Sequence, residues 1–574
     1  MQKRWVEKPQ QHSEQVRNLS NSLNINSVLA SLLVKRGIHS YQDAENFFCP
    51  DLARLYDPFL MRDMDKAVSR IISAFEKGEK ILVYGDYDVD GTTAVTLVFS
   101  FLNELAPTYI DYYIPDRYDE GYGVSKKGID HACSNSCSLI IALDCGIKAN
   151  ELVEYSNHKG IDFIIADHHT PGAVLPAAYA VLDPKRTDCN YPFSELSGCG
   201  IGFKLVHGLA IKLGLPLERI YRYLDLLAVS IAADMVPIID ENRILSFHGL
   251  KKLNSDPCPG LRALIDLRSG KTELSSTDLV FHIGPRINAA GRIKHAKAAV
   301  ELLISTDPYR ASELSKEIDI HNIERKTFDT QITEEALSMI TENPEMKRRK
   351  TTVVFQPEWH KGVIGIVASR LIEKFYRPTI VLTQSNGLIT GSARSVFGFD
   401  LYTALSQCSE LFEQFGGHKY AAGLTMKADN VAALQERFEQ VVAATIPDVL
   451  LTPELMIDEE LCLADIDGKF FRILNRFSPF GQENELPVFL SRNVRVAESP
   501  RVVGKNHLKI CVSQGGSAVY DGIGFGLSHL GSLVTRGSSI DICYTLEENN
   551  WRGVRRIQLN IKDIRLAEEL VSST

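Results

Sequence analysis

Acids and histidines gather at four places along this 574-residue chain, each time after a short apolar run. Asp86, Asp88 and Asp90 stand in GDYDVDG after Ile81–Tyr84, and Asp144 stands in DCG after Leu139–Leu143. Asp167, His168 and His169 follow Phe163–Ala166 in ADHH, and Asp234 closes the apolar stretch LAVSIAADMVP. If these runs are strands of one open parallel sheet, their carboxyl ends share an edge and the side chains converge on a crevice there. Carboxylates packed together repel, and burying them unpaired is costly. Divalent cations resolve that conflict. Carboxylate oxygens with one or two imidazoles suit Mn²⁺ or Mg²⁺ rather than thiophilic zinc. Two ions roughly 3.5–4 Å apart, bridged by a carboxylate, activate water and stabilise the leaving oxygen of an in-line phosphoryl displacement. Each stretch also has a plainer reading: a DxDxD loop is a solvated turn or a calcium loop, Asp144 caps a helix, and a His-His pair is structural. Asp234 resists such a reading, because a lone carboxylate inside an apolar run is costly.

The elements that must position these residues show in the apolar pattern. ILVYGDYDVDGTTAVTLVFSFL reads as a β-branched strand, an acidic loop and a long apolar helix opening at Gly91-Thr92-Thr93. The strand-then-loop pattern recurs at 138–146 and 161–169, which predicts a parallel sheet covered on both faces. Residues 1–65 read as a helical lead-in, with Val28, Leu29, Leu32, Leu33 and Ile38 at helical spacing and Pro50 and Pro58 at its end. The acid-bearing α/β domain then spans 66–295. Residues 296–345, charged and almost free of glycine, predict a long connecting helix interrupted only near Pro308. A second, smaller α/β pattern occupies 346–450, ending in GGHKYAAG (416–423) and an amphipathic helix. From 451 to 574 short alternating runs predict an all-β tail the size of one five-stranded barrel.

Composition bounds the partners. With 44% hydrophobic and 24% charged residues and a net charge of −9, the chain is neither disordered nor generally attractive to nucleic acid. A polyanion would need a local basic groove, or metal ions at the contact. No apolar run approaches the ~20 residues of a membrane span. The polar start MQKRWVEKPQQ lacks a secretory apolar region, and eleven cysteines without a CxxC pair read as reduced thiols, so the expected location is cytoplasmic.

Glycine and arginine combine in three further segments. IGPRINAAGR offers Arg286, Asn288 and Arg292 among small residues that let backbone approach a phosphate, or else forms a turn with surface arginines. GSARSVFGFD supplies Ser392 and Arg394. GGHKYAAG supplies Gly416, Gly417 and His418, whose amides form an anion nest or a plain glycine turn. In the tail, Arg492, Arg495, Arg501, Lys505 and His507 interleave with Tyr520 and Phe525, which suits a single strand held by charge and stacking, or merely a barrel exterior.

GDYDVDG, DCG, ADHH and AADMVP, in that order, resemble the four motifs of the DHH phosphoesterase superfamily. Over roughly residues 40–570 the chain resembles its RecJ family of bacterial single-strand-specific 5′→3′ exonucleases. That resemblance implies a DHH catalytic domain at 66–295, a DHH-associated substrate-binding domain at 346–450 facing it across a cleft, and an OB-fold-like nucleic-acid-binding domain at 451–574. It implies two Mn²⁺ or Mg²⁺ ions, one held by Asp88 and Asp144, the other by Asp90, Asp144, His168 and Asp234, with Asp144 as bridge. Asp86 would support the first ion, His169 would contact the scissile phosphate, and Asp167 would orient a neighbouring histidine or the backbone. Ser392 and Arg394 would clamp the 5′ end, joined by Arg117, unless nearby Asp116, Asp119 or Glu120 pair with Arg117 instead. The implied activity is two-metal hydrolysis of single-stranded DNA to 5′ mononucleotides in recombination and repair, by a monomer working beside a helicase and single-strand-binding protein. Two other readings remain: a phosphoesterase of short oligonucleotides or cyclic dinucleotides, disfavoured by the barrel, and a non-catalytic single-strand-binding scaffold, disfavoured by the full set of acids and histidines.

Overall fold

The apolar runs that precede the acidic motifs lie side by side. In the computed structural model, which describes residues 3–9, 13–268, 273–551 and 554–567, they form an all-parallel five-stranded sheet. Its order is Ile110–Tyr113, Lys80–Gly85, Cys137–Leu143, Asp162–Ala166 and Ala180–Leu182. Gly85 pairs with Leu143 and Leu143 with Ala166, so Asp86, Asp144 and Asp167 leave their strands level with one another. Both faces are covered, as continuous apolar strands require. Ile129, Ala132 and Val153, from helices Lys126–Ser134 and Asn150–His158, pack with Leu82, Ile140 and Phe163. Helices Val89–Leu105, Gly198–Lys212 and Leu224–Asp234 pack against one another, and the first two against the sheet.

Helix Lys297–Ile304 stops before Pro308, and a 35-residue helix, Pro308–Glu342, follows with Asp307 capping the Tyr309 N–H. At 1.5 Å per residue it runs about 52 Å. Its last turns bury Ile332, Ala336 and Ile340 against Val354, Val381 and helix Ile364–Lys374 of a second sheet. That sheet is mixed, in the order Gln414–Gly417, Ala421–Met426, Leu388–Arg394, Thr379–Ser385, Thr352–Phe355, with only the last pair parallel. Its other face packs Ile380, Leu382 and Ala393 against Phe438 and Val442 of helix Val431–Thr445.

Residues 54–453 form one compact unit, and 3–53 with 454–574 form another. The helical lead-in expected over 1–65 is therefore corrected twice. It opens with a strand, Arg4–Glu7, parallel to Glu454–Ile457. Its helices share a core with the tail, where Leu29, Leu32 and Leu33 pack with Phe470, Leu474 and Phe489. Helical spacing shows that a face is apolar but not which distant residues bury it. In the tail, Phe489–Val496, Ser539–Trp551, Val554–Leu566, Tyr520–Gly524 and His507–Ser513 pair in sequence around a ring. Arg495↔Ser513 and Val496↔Val512 close it into a five-stranded barrel, with Glu459–Glu460 and Arg501–Val503 added as outer strands.

Candidate metal centre and anion cavity

Asp144 follows its strand in the left-handed region, at φ 59°, with its N–H donating to Ala166 O at 3.0 Å. Its side chain is buried, and neither carboxylate oxygen has a hydrogen-bond partner among the described residues. The same holds for Asp86 Oδ2 and for both ring nitrogens of His168. His168 Nε2 lies 3.2 Å from Asp144 Oδ1, 3.6 Å from Asp234 Oδ2 and 3.7 Å from Asp90 Oδ2. Asp90 is held in place by the start of helix Gly198–Lys212. Its Oδ2 accepts from the Gly198 N–H at 2.6 Å, and its Oδ1 accepts from the Cys199 N–H at 2.8 Å and from the Ser230 hydroxyl at 2.7 Å. Glycine is required at 198, because a Cβ there would come within 2.6 Å of Asp144 Oδ1.

Asp167 is fully engaged. Its Oδ1 accepts from the His168 and His169 amides at 2.7 and 3.1 Å and lies 2.7 Å from His169 Nδ1. Its Oδ2 accepts from the Ile147 N–H at 3.0 Å. Burial opposes charge on His169, but the Asp167 carboxylate outweighs it and raises the ring's pKa. His169 Nε2 sits 3.2 Å from the Tyr122 hydroxyl. Asp225, the other acid of the apolar run, is engaged away from the site, accepting backbone N–H bonds from Leu226 and Cys258.

Asp144 and His168, buried without hydrogen-bond partners among the described residues, stand with Asp90, His169 and Asp234 as a cation's donor set. The donor atoms of Asp90, His168 and Asp234 lie within 4.8 Å of one another, and so do those of Asp144, His168 and His169. Asp88 belongs to neither cluster, which departs from the ligand set implied by the resemblance. Its Oδ1 accepts the Gly91 N–H at 3.0 Å as the N-cap of helix Val89–Leu105, and His169 stands beside Asp144 instead. Asp86 also uses one oxygen locally, accepting from the Gly123 N–H at 3.2 Å.

Burial and the neighbouring acids drive the Asp144 carboxyl far above its usual range and push Asp234 up to about 8. The folded, metal-free protein thus binds protons that the unfolded chain releases above ~4, so this cluster lowers stability as pH rises from there towards about 8. Thermal melting should show it: the metal-free protein melts lower at pH 8 than at pH 6, and saturating Mn²⁺ removes most of the difference by replacing the protons.

Beside the acid loop lies a cavity of about 390 Å³ lined by Arg117, Arg292, Lys361 and Arg394, with Ser392, Tyr87 and glycine-rich backbone, and with no acid among the described residues. Tyr87 stands between Asp86 and Asp88, which joins cavity and acids. The Arg117 guanidinium lies 4.8 Å over the Tyr87 ring. None of its three acidic neighbours pairs with it. Asp116 accepts the Tyr118 and Asp119 amides, Glu120 accepts from Tyr113 and Ser125, and Asp119 lies near Lys127. Arg394 donates to Ser392 Oγ at 3.0 Å, and burial with Arg117 nearby lowers its pKa. Burial, then Arg117 and Arg325, push Arg292 down to about 10. A bound anion relieves that repulsion. Gly365 leaves room for it: a Cβ there would lie 2.9 Å from Arg394 Nη2 and from Ser392 Oγ.

Other expected anion ligands are placed elsewhere. IGPRINAAGR is neither loop nor turn but mostly helix, Gly284–Ile293. Arg286 on it donates to Asp319 Oδ1 and His282 O, both at 2.8 Å, and neither it nor Asn288 lines the cavity. Arg292 does, while donating to Gly362 O at 3.0 Å. Gly416 and Gly417 pair with Gly423 and Ala422 in a hairpin, and the His418 N–H donates to Ala421 O. The amides of GGHKYAAG are therefore not a nest; Gly416 lines the cavity as strand backbone, and Gly417 and His418 do not. Lys361, Gly365, Ser230 and Gly198 escaped the sequence reading, as did Asp183. That buried acid follows strand Ala180–Leu182, with Oδ2 unpartnered and burial pushing it up to about 7. Only Asp183 carried a readable signal, an apolar run ending in aspartate. On the barrel, Arg492 is tied to Glu7, Glu460 and Asp541, whereas the His507 and Phe525 rings meet edge-on with centroids 5.1 Å apart.

Residues 80–231 match the DHH family, N-terminal domain; 349–444 match the DHHA1 domain; and 457–563 match the RecJ OB domain. The single-stranded-DNA-specific exonuclease RecJ of Bacillus subtilis (strain 168) is 39% identical over 571 residues, 98% of this chain and 71% of the relative. Its namesake from Escherichia coli (strain K12) is 33% identical, covering 94% of this chain and 95% of the relative. The chain belongs to the RecJ family. A solved RecJ structure from Thermus thermophilus, in complex with Mn²⁺, superposes with a TM-score of 0.84 at 28% identity, over 98% of this chain and 80% of that one. The RecJ-family domains are thus present in the same order as the two sheets and the barrel, and the DHH match contains all the clustered donors except Asp234.

Proposed function

We propose that this chain is a single-stranded-DNA-specific exonuclease that works from the 5′ end and releases 5′ mononucleotides, with 66–295 as catalytic and 346–450 as substrate-binding domain. The observation that carries this reading is the acid-free cavity of four cations abutting the acid edge of the parallel sheet. Ser392, Arg394 and Arg117 hold the terminal phosphate, and Arg292 and Lys361 add charge. A phosphate fixed there places the next phosphodiester over the acids, which supplies orientation before chemistry begins. When bound, two Mn²⁺ or Mg²⁺ ions supply water activation and leaving-group stabilisation. Asp90, Asp234 and His168 offer one set of donors, and Asp144 with His168 and His169 the other. Asp86 and Asp88 shape the adjoining loop, and Asp167 fixes the His169 ring through Nδ1, which leaves Nε2, beside the Tyr122 hydroxyl, as the nitrogen turned to the metal or the reacting phosphate.

The relatives' names and metal-bound structures support this reading, and the barrel suits a single strand. Family membership further suggests a monomer that works in the cytoplasm in recombination and repair, on strands supplied by a helicase and single-strand-binding protein. The test uses end-labelled single-stranded and duplex DNA with Mn²⁺, Mg²⁺ or chelator. Cleavage should need metal and a single strand. It should favour a 5′ phosphate, and Arg394→Ala should lower kcat/KM by about 10–100-fold, the worth of a charge-assisted contact. Equal cleavage of 5′-phosphorylated and 5′-blocked strands would remove the clamp from the account.

A further inference from the structure

Strand Leu388–Arg394 turns Ser392 and Arg394 towards the anion cavity and Ala393 into the core. Beyond it, Val396 and Phe399 are both buried, so the residue between them and Gly398, Phe397, is carried outwards and is 69% exposed. Gly398 makes that excursion possible, with φ at 89°. Across from it, at the tip of the hairpin that lines the cavity, Tyr420 is 40% exposed. The two rings are parallel within 8°, their centroids 6.2 Å apart. Lys419 Nζ lies 5.4 Å from the Tyr420 ring centre. Backbone bonds pin both loops: the Ser395 N–H donates to Tyr420 O at 3.0 Å, and the Leu401 N–H donates to Lys419 O at 2.9 Å. Two large rings are thus held in water, parallel and on fixed backbone, where burial would ordinarily be favoured.

We infer that Phe397 and Tyr420 form a stacking platform for a nucleobase of the strand whose terminal phosphate enters the cavity. Phe397 lies three positions beyond Arg394, a span of at most about 10 Å of extended chain. Cavity and platform therefore lie within reach of one nucleic-acid end. A base offers a flat apolar face to the rings, and its phosphates meet Lys419 and the cavity's cations. Such contact tolerates any base, because every base has a flat face.

The inference rests on the reading of the chain as a single-strand exonuclease, and the test separates the two. The full-length protein is titrated, with chelator present, against a 5′-phosphorylated oligonucleotide and against versions carrying one abasic site at successive positions. Wild type should lose affinity at one or two positions near the 5′ end. Phe397→Ala/Tyr420→Ala should bind the intact strand about tenfold more weakly, the order of one stacked base, and show no further loss at those abasic positions. Phe397→Trp should restore affinity and abasic sensitivity to near wild type, which a merely structural defect would not allow; unchanged thermal melting guards against misfolding. Affinity within twofold of wild type, or an unaltered abasic profile, overturns the platform alone. Failure of the wild type to bind or cleave single strands overturns the proposed function itself.

Discussion

Asp144→Asn is expected to lower hydrolysis at least about a thousandfold and, at the same time, to raise the melting temperature of the metal-free protein. The first effect follows from its place: neither oxygen has a hydrogen-bond partner among the described residues, and His168 Nε2 is 3.2 Å away. Metal-supplied charge stabilisation is worth several kcal/mol, and each 1.36 kcal/mol is tenfold in rate. The second follows from burial. A carboxyl driven far above its usual pKa among Asp90, Asp88 and Asp234 penalises folding at neutral pH, and the amide has no such penalty. Asparagine also tolerates the φ of 59° that Asp144 adopts, where alanine would add backbone strain. End-labelled DNA cleavage and melting curves with and without Mn²⁺ check both effects. A variant that keeps its activity would remove Asp144 from the centre, and one that melts lower without metal would contradict its electrostatic cost.

Lys204→Met is expected to reduce unfolding free energy by about 3–5 kcal/mol, the cost of stranding one partner of a buried ion pair. Lys204 and Glu241 are both wholly buried, 2.5 Å apart. Lys204 Nζ also donates to Tyr56 O, and Glu241 accepts from the Tyr56 N–H and the Tyr191 hydroxyl. Burial lowers the Lys204 pKa, and Glu241 opposes that shift. Replacing both ends, Lys204→Met with Glu241→Leu, should recover much of the loss, because apolar packing often matches a buried pair. Urea unfolding of the single and double variants measures it, and equal losses in both would point to packing rather than charge. The effect reaches the site through helix Gly198–Lys212, since the helix that carries Lys204 begins with the two amides that hold Asp90. Mn²⁺ affinity should therefore fall in the single variant.

The amino-acid order by itself determined that acids stand at the ends of parallel strands, that a long helix resumes at Pro308, and that the tail can close as a barrel. Each of these is local: strand period, helix period and turn residues belong to neighbouring positions in the chain. Tertiary structure alone decided what competes for each polar group. Asp88 stands two positions before Asp90, yet it caps helix Val89–Leu105 while Asp90, in that helix's first turn, meets a distant helix start. Arg286 and Arg292 share one helix, and only the second finds the cavity, because Asp319 of the long helix takes the first. Leu29, Leu32 and Leu33 announce an apolar face, but residues more than four hundred positions away bury it. Lys361 and Gly365 carry no motif; the second sheet brings them to Arg394. Partner choice depends on which groups folding brings within hydrogen-bond reach, and distance in space is not written in spacing along the chain.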